Sequence, residues 1–179
     1  MRRMLALVCV AVACLAACEP TDSTESITAP STPGDASPNT CGSGQMALRA
    51  AAPAPYPEGV AHQIVSRVSV SSKLLTSCVL PATVQVQLMH AGRRVGDASV
   101  PSPIDNGASV VTTLPAAGTA SFKVVWSAQS DPRCHRGSAV TALFVRLGDG
   151  DPGASVALPS PSSECLLNTV YATSFQAGP

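Results

Sequence analysis

Aromatic residues are scarce in this chain of 179 residues, which contains one tryptophan, two tyrosines and three phenylalanines. Proteins that bind single-stranded nucleic acid stack the bases on aromatic side chains, so the scarcity argues against such a surface. The formal net charge is zero, with 11 basic and 11 acidic residues. A balanced charge gives no electrostatic reason to expect a nucleic-acid partner. We therefore expect no nucleic-acid binding.

Lysine is also scarce, since Lys73 and Lys123 are the only two in the chain. A valine and an alanine stand three residues before them, which excludes the Ser-x-x-Lys site of penicillin-recognising enzymes. Ser43 lies in the stretch CGSGQ, where Cys41 replaces the first glycine of the Gly-x-Ser-x-Gly nucleophile elbow. Acidic residues form no visible pair of the kind that glycosidases use. These absences predict no catalytic residue and no enzyme activity.

Histidine occurs only at His62, His90 and His135. The dipeptide Cys134-His135 matches no zinc-ligand spacing, and a cysteine in an exported protein is more often oxidised than metal-bound. His90 ends a predicted strand, beside a glycine turn, and is expected at the surface. None of the three histidines therefore indicates a metal site.

The stretch GDGDPG, residues 148–153, has the opening spacing of a calcium loop at Asp149 and Asp151. Gly153 occupies the next ligand position, and Ser160 stands where the bidentate glutamate belongs. We expect a hairpin turn here, with neither a metal ion nor another cofactor.

The N-terminus begins with Arg2 and Arg3, and an uninterrupted apolar run from Met4 to Ala17 follows. The run is shorter than the roughly 20 residues that a helix needs to span a bilayer. A positive start followed by a short apolar segment is typical of a signal peptide. The sequence predicts a signal peptide at residues 1–17.

A cysteine follows this apolar run directly. The stretch Leu15-Ala16-Ala17-Cys18 resembles the bacterial lipobox, in which the cysteine thiol receives a diacylglyceryl group and becomes the new N-terminus. Two acyl chains anchor a protein stably, whereas one does so marginally. Cleavage by ordinary signal peptidase after Ala13 is the alternative. The resemblance predicts lipidation of Cys18 and a location at the extracytoplasmic face of the cell membrane.

Residues 18–40 follow as a segment rich in proline, serine and threonine, with four acidic and no basic side chains. Such a segment buries too little apolar surface to offset its ordering entropy. As a flexible coil it would span about 26 Å, enough to lift a domain clear of the lipid headgroups. We expect residues 18–40 to be a disordered tether.

Residues 41–179 alternate apolar and polar side chains with a period of two, as the strands of a sheet with one buried face do. Turn-forming stretches separate these strands, and no long amphipathic helix is evident. About eight short strands predict an all-β, antiparallel β-sandwich, of which the immunoglobulin-like arrangement is one version. The predicted strands are IVSRVSV, TVQVQLMH, VVTTL, ASFKVVWSA, VTALFVRL, ASVAL and NTVYATSF.

Four cysteines lie in this domain: Cys41, Cys78, Cys134 and Cys165. An even number in an exported chain predicts two disulfides, for which three pairings exist. If an antiparallel pair of strands lies between Cys41 and Cys78, both cysteines lie at the same end of it. The same argument applies to Cys134 and Cys165. We therefore predict the pairs Cys41–Cys78 and Cys134–Cys165.

The order of these elements resembles the domain of unknown function 4232 family of actinobacterial lipoproteins. In that family an early cysteine pairs with a strand that ends in a Cys-Thr-Leu type element, here Cys78–Pro81. A Leu-x-Pro-Gly-x-x-Ala type turn follows, here Leu114–Ala120, and a late cysteine, here Cys165, precedes the last strand. The family's usual Gly-Tyr-Pro after the second cysteine is reduced to Leu80-Pro81. The resemblance covers residues 41–176 and implies a fold but no activity.

Arg93 and Arg94 lie on a predicted turn, and Arg133 and Arg136 lie on either side of Cys134. They are expected to be solvated, with contact to an anionic wall polymer or to lipid headgroups as the alternative. Taken together, the sequence predicts a membrane-anchored, surface-exposed lipoprotein whose domain has a non-catalytic binding or structural role. Its expected partners are the membrane, through Cys18, and a cell-wall polymer or another envelope protein. An envelope hydrolase with dispersed catalytic residues is the alternative, and a solute receptor is disfavoured because one sandwich lacks a two-lobed cleft.

Overall fold

Strands dominate the residues that the computed structural model describes, which are 39–57, 61–102, 110–128, 130–131, 137–165 and 169–177. These residues belong to one compact unit, Ala36–Pro179. A 3-10 turn at Ser43–Gln45 precedes the first strand, and the described residues include no α-helix. The strands are β1 (Met46–Ala50), β2 (Ala54–Pro55), β3 (Gln63–Ser72), β4 (Cys78–Val79), β5 (Val84–His90), β6 (Arg93–Val95), β7 (Val100–Pro101), β8 (Thr113–Leu114), β9 (Thr119–Ser127), β10 (Gly137–Leu147), β11 (Ala154–Cys165), β12 (Tyr171–Ala172) and β13 (Gln176–Ala177).

Two sheets contain most of these strands. The large sheet has the order β1-β3-β9-β12-β7, with β2 paired to β3 and β13 paired to β9. The small sheet has the order β11-β10-β5-β6 and is antiparallel throughout. Within the large sheet, only the pairing of β7 with β12 is parallel among the described strands. A separate ribbon joins β4 to β8.

The core lies between the two sheets and is formed by the alternate side chains that the sequence predicted. In β3, Val68 and Val70 are fully buried, whereas Arg67 between the two buried positions Ser66 and Val68 is exposed. Fully burying a valine or leucine side chain contributes about 1.5–3 kcal/mol. The other strands place their side chains in the same cluster, and its largest members are Phe122, Trp126, Phe175, Leu88, Leu114 and Leu143. The predicted all-β antiparallel sandwich is confirmed.

The number of strands differs from the prediction of about eight. The described residues contain thirteen, of which six consist of two residues each. The predicted strand VVTTL is reduced to β8, and NTVYATSF is reduced to β12, because only these residues form ladder pairs. Pairings this short carry too little periodicity to be recognised in a sequence. The immunoglobulin-like version of the sandwich stays a prediction.

The disulfide between Cys41 and Cys78 is confirmed, with the two Cα atoms 5.2 Å apart. The reason is the one expected from the sequence, since β1 and β3 lie antiparallel between the cysteines, with Met46 opposite Ser72. The second predicted pair lies outside the described residues, because Cys134 and the side chain of Cys165 are not among them.

The strand β11 forms one edge of the small sheet. Its pairing with β10 is interrupted, since Val140 lies opposite Ser162 and Ala142 lies opposite Ala157. Four residues of β11 therefore correspond to one residue of β10, and two of the four are Pro159 and Pro161. Proline lacks a backbone donor and is tolerated in strands mainly at edges and bulges, which is where these two occur.

The predicted signal peptide (1–17), Cys18 and most of the tether lie outside the described residues. The last two residues of the predicted tether, Asn39 and Thr40, are described and pair with Val79, whose amide donates to the Asn39 carbonyl at 2.8 Å. Within the described part of the chain, no helix is long and apolar enough to cross a membrane.

Candidate binding cleft on the outer face of the large sheet

Two motifs that the sequence suggested for catalysis and for calcium are joined to each other. Ser43 donates a hydrogen bond from Oγ to Asp151 Oδ1 at 2.8 Å, and its amide donates to the same oxygen at 3.1 Å. The amide of Leu147 donates to Asp151 Oδ2 at 2.7 Å. Burial acts to raise the pKa of Asp151, but these hydrogen bonds and one from the Gly153 amide together lower it. The pair is a structural link between the 3-10 turn and the β10–β11 hairpin.

The predicted hairpin turn at 148–153 is confirmed, because it connects the antiparallel strands β10 and β11. Gly148, Gly150 and Gly153 all have positive φ values, which glycine adopts without steric cost. Asp149 is exposed, and its Oδ1 lies 3.4 Å from the Nε2 atom of Gln85. Among the described residues, no three His, Cys, Asp or Glu side chains group as metal ligands would.

The histidines lie in different parts of the fold. His90 ends β5 and is exposed, as expected, and its Nδ1 lies 2.7 Å from the carbonyl oxygen of Ala139. His62 has a positive φ of 65°, and its Nδ1 lies 3.4 Å from Ser130 Oγ. These two atoms border a cleft of about 340 Å³ that also includes Ser163. His135 lies outside the described residues.

Glu164 is a buried carboxyl group that sequence reasoning did not single out. Only 4% of its surface is exposed, and among the described residues its Oε1 has no hydrogen-bond partner. Burial raises the pKa of Glu164 to about 7, while the charge of His90 acts to lower it. This group titrates near neutrality because water is excluded from it.

Arginine side chains of the small sheet stack on an aromatic ring. The Arg94 guanidinium carbon lies 3.6 Å from the centre of the Phe144 ring, and that of Arg146 lies 5.9 Å from it. Such cation–π contacts are worth about 0.5–1 kcal/mol at exposed sites. Arg93 is exposed next to them, whereas Arg133 and Arg136 lie outside the described residues. Arg94 therefore differs from the expectation that it is only solvated, because it also stacks on the Phe144 ring.

In its described strands, the outer face of the large sheet, which points away from the core, carries positive charge. Arg49, Arg67 and Lys123 lie on this face, at positions that alternate with the core residues of β1, β3 and β9. None of the seven strands of the sheet contains an aspartate or a glutamate. The described strands of this sheet therefore present cations with no acidic residue among them.

Arg67 and Lys123 stand directly opposite each other in the β3–β9 ladder. Like charges at opposite positions of neighbouring strands repel each other and destabilise the sheet. Lys123 is held there by hydrogen bonds to Thr173, whose Oγ1 accepts from the Lys123 amide at 2.9 Å and whose amide donates to the Lys123 carbonyl at 3.0 Å. An anion placed between the two side chains would relieve this repulsion.

Apolar residues form a row beside the two cations. Val65 pairs with Ala54 on one side and with Val125 on the other. Val125 and Tyr56 are both buried, and both lie outside the central core cluster. The outer face thus has its own apolar layer, which covers part of the sheet away from the core.

A cleft lies where the apolar row meets the cations, with a volume of about 280 Å³. One wall of the cleft is formed by the segment between β1 and β2. This segment interrupts the pairing with β3, which resumes at Ala54. Ser66 holds this segment by donating from Oγ to the Ala51 carbonyl at 2.8 Å. The lining residues are Ala51, Ala52, Ala54, Tyr56, Pro57, Val65, Arg67 and Lys123.

The period-two alternation of IVSRVSV and ASFKVVWSA puts Arg67 and Lys123 opposite the apolar face of their strands but does not bring them together. Their opposition depends on the register of β3 against β9, and the two residues lie 56 positions apart in the chain, so no local pattern reveals it. The chain matches no protein-family model, no curated protein and no solved structure. The resemblance to the domain of unknown function 4232 family stays a prediction.

Proposed function

We propose that the protein is a membrane-anchored, surface-exposed bacterial lipoprotein whose β-sandwich is a non-catalytic binding domain of the cell envelope. The observation that carries the binding role is the outer-face cleft, where Arg67 and Lys123 adjoin an apolar wall. The lipobox-like stretch that ends at Cys18 supports the anchor, and the Cys41–Cys78 disulfide supports an oxidising compartment. Membership of the domain of unknown function 4232 family is part of this proposal.

Ser43, the serine in the elbow-like stretch CGSGQ, has a structural role, which favours binding over turnover. The Ser43 hydroxyl donates to Asp151, and the lowered pKa of this carboxyl group makes its carboxylate a weak base for activating a serine nucleophile. The ring of His90 is engaged with a backbone carbonyl oxygen.

Metabolic labelling with a clickable fatty acid tests the anchor. The wild-type chain and Cys14→Ala should both incorporate the label, whereas Cys18→Ala should lose it, because, of these two cysteines, only Cys18 follows a leucine at the third preceding position. Fractionation of the same cells should find the wild-type chain in the membrane. Equal label on wild type and Cys18→Ala would contradict the proposed anchor.

Retention on cell-envelope fractions tests the binding role. The exported Cys18→Ala chain should be retained by a wall or membrane fraction, and Arg67→Gln should weaken that retention while Arg94→Gln, on the other sheet, should not. Turnover of an envelope substrate by the purified chain would contradict a non-catalytic role.

An envelope hydrolase is the second candidate, favoured by the contact between His62 Nδ1 and Ser130 Oγ. A histidine within reach of a serine hydroxyl is the minimal arrangement for an activated nucleophile, although 3.4 Å is longer than the usual 2.6–3.2 Å. A fluorophosphonate probe that labels the wild-type chain but not Ser130→Ala would favour this candidate. Absence of label on the wild-type chain would count against it.

A further inference from the structure

We propose that the outer-face cleft binds a small amphiphile in which one anionic group, a carboxylate or a phosphate, is attached to an apolar body. The anionic group lies between Arg67 and Lys123, and the apolar body lies along Val65, Ala54 and Tyr56. This inference rests on the proposed binding function and names the chemistry of the ligand.

The two cations define the anionic end of the ligand. They lie on the same face at opposite positions of β3 and β9, both line the cleft, and none of the seven strands of their sheet contains an acidic residue. A guanidinium donates two parallel hydrogen bonds to a carboxylate or a phosphate, and an ammonium adds a compact point charge. Such an anion neutralises two charges that otherwise repel each other.

The remainder of the cleft defines the apolar end. Its other lining residues are alanine, proline, valine and tyrosine, with no side-chain charge. The volume of about 280 Å³ is close to the lower limit of about 300 Å³ for pockets that hold drug-sized ligands. A small molecule that is apolar along most of its length fits this lining better than a polar sugar or a free inorganic anion does.

The other cations of the described fold lack this combination. Arg94 and Arg146 lie near the Phe144 ring on the other sheet and do not line the cleft. Lys73 follows β3, is exposed and does not line the cleft. These residues therefore serve as controls within the same molecule.

The two lysines allow a direct test on the full-length chain. Reductive methylation with ¹³C-formaldehyde labels Lys73 and Lys123, which gives two lysine signals, and dimethylation preserves the positive charge. The labelled chain is titrated separately with hexanoate and with hexyl phosphate. Acetate and inorganic phosphate are the matched probes without an apolar body.

The Lys123 signal should shift saturably with hexanoate, with hexyl phosphate or with both, and the Lys73 signal should not. Whichever probe binds identifies the anionic group. Affinity should fall by up to about fourfold for each methylene removed, because each buried methylene contributes about 0.8 kcal/mol. Equal shifts of the two lysines, no shift with either probe, or an affinity independent of chain length would overturn the proposal.

Two variants test the same site from different elements. Arg67→Gln should weaken binding at least about tenfold, since it removes a charge-assisted hydrogen bond. Ala52→Glu places a carboxylate in the exposed segment at the mouth of the cleft and should weaken binding without altering β3. Arg94→Gln should leave the affinity unchanged, and unchanged affinity in both cleft variants would refute the assignment. These readouts require no lipid on Cys18, so they fail or succeed separately from the labelling test of the anchor.

Discussion

The Ser43 hydroxyl lies 2.8 Å from Asp151 Oδ1, and this hydrogen bond joins two segments that are 108 residues apart in the chain. Ser43 itself is buried, with 3% of its surface exposed. The Asp151 carboxylate also accepts from the Leu147 amide, so it connects the end of β10 to the segment that follows Cys41. Two turns that look independent in the sequence therefore form one structural unit.

We expect Ser43→Ala to lower the free energy of unfolding by about 1.5–3 kcal/mol, the usual worth of a hydrogen bond to a charged group. Chemical denaturation at neutral pH measures the change. Ser77→Ala, at an exposed position, is the matched control and should have little effect. Equal stabilities of the two variants would mean that the contact with Asp151 contributes nothing.

The Asp151 carboxyl group predicts that the stability of the fold depends on pH in the acid range. Because its folded-state pKa is lower than the usual 3.8, its contribution is present above that value and is lost as the pH falls through the folded pKa. Asp151→Asn should therefore be less stable than wild type at pH 7, and the difference should shrink below about pH 4. Denaturation curves at several pH values measure this difference. Asp149→Asn, which removes only a contact of 3.4 Å with Gln85, is the matched control.

The Glu164 carboxyl group predicts that stability changes with pH in the opposite direction. Burial raises its pKa from 4.5 to about 7, so its contribution is fully present below pH 4.5 and is lost as the pH rises through about 7. Glu164→Gln stays neutral at every pH and should be more stable than wild type at pH 8, by up to about 3 kcal/mol. At pH 4 the two proteins should be similar. Thermal denaturation at pH 4 and pH 8 tests this, with the exposed Asp97→Asn as control; a constant difference would contradict it.

Gly153 lies under the Phe144 ring. A Cβ atom at this position would meet Phe144 Cε1 at 2.8 Å and Arg146 Cγ at 3.0 Å, and the φ of 81° also disfavours a side chain. Gly153→Ala should destabilise the fold by about 2–3 kcal/mol, from backbone strain plus displacement of the stacked ring. Gly150→Ala shares the positive φ of 77° but has nothing within 4 Å, so it should cost only about 1 kcal/mol. Equal costs would show that the packing against Phe144 contributes no part of the effect.

The disulfide between Cys41 and Cys78 closes a loop with a sequence separation of 37 residues. In the loop-entropy treatment, closing a loop of this length stabilises the fold by about 3–4 kcal/mol. The double variant Cys41→Ala/Cys78→Ala should show a loss of this size in chemical denaturation. Non-reducing peptide mapping of the wild-type chain should also find Cys134 joined to Cys165; a peptide that links Cys78 to Cys134 would refute both pairings.

The period-two alternation was sufficient to predict the all-β class, because it reports directly on which face of a strand is buried. In β9, Phe122, Val124 and Trp126 are buried as expected. Val125 is buried too, although alternation predicted the opposite face for it. A strand in the middle of a sheet with an apolar layer on its outer side loses the simple alternation, so this layer was not predictable.

The candidate cleft could be predicted only in part. The outward position of Arg67 and of Lys123 followed from the strand periodicity, but their opposition depends on the register of β3 against β9. The cleft also needs the break between β1 and β2, which carries no periodic signal because alanine and proline dominate it. Glu164 was missed for a related reason, since its burial arises after the irregular stretch of β11.

The two prolines in the irregular stretch of β11 have a consequence for how neighbouring molecules meet. An exposed strand edge offers unpaired amides and carbonyls on which a second chain can add a strand. Pro159 and Pro161 lack amide hydrogens, and the register shift around them interrupts the regular spacing of the remaining groups. In a crowded population of these molecules, the β11 edge of the small sheet therefore disfavours the addition of a strand from a neighbouring molecule.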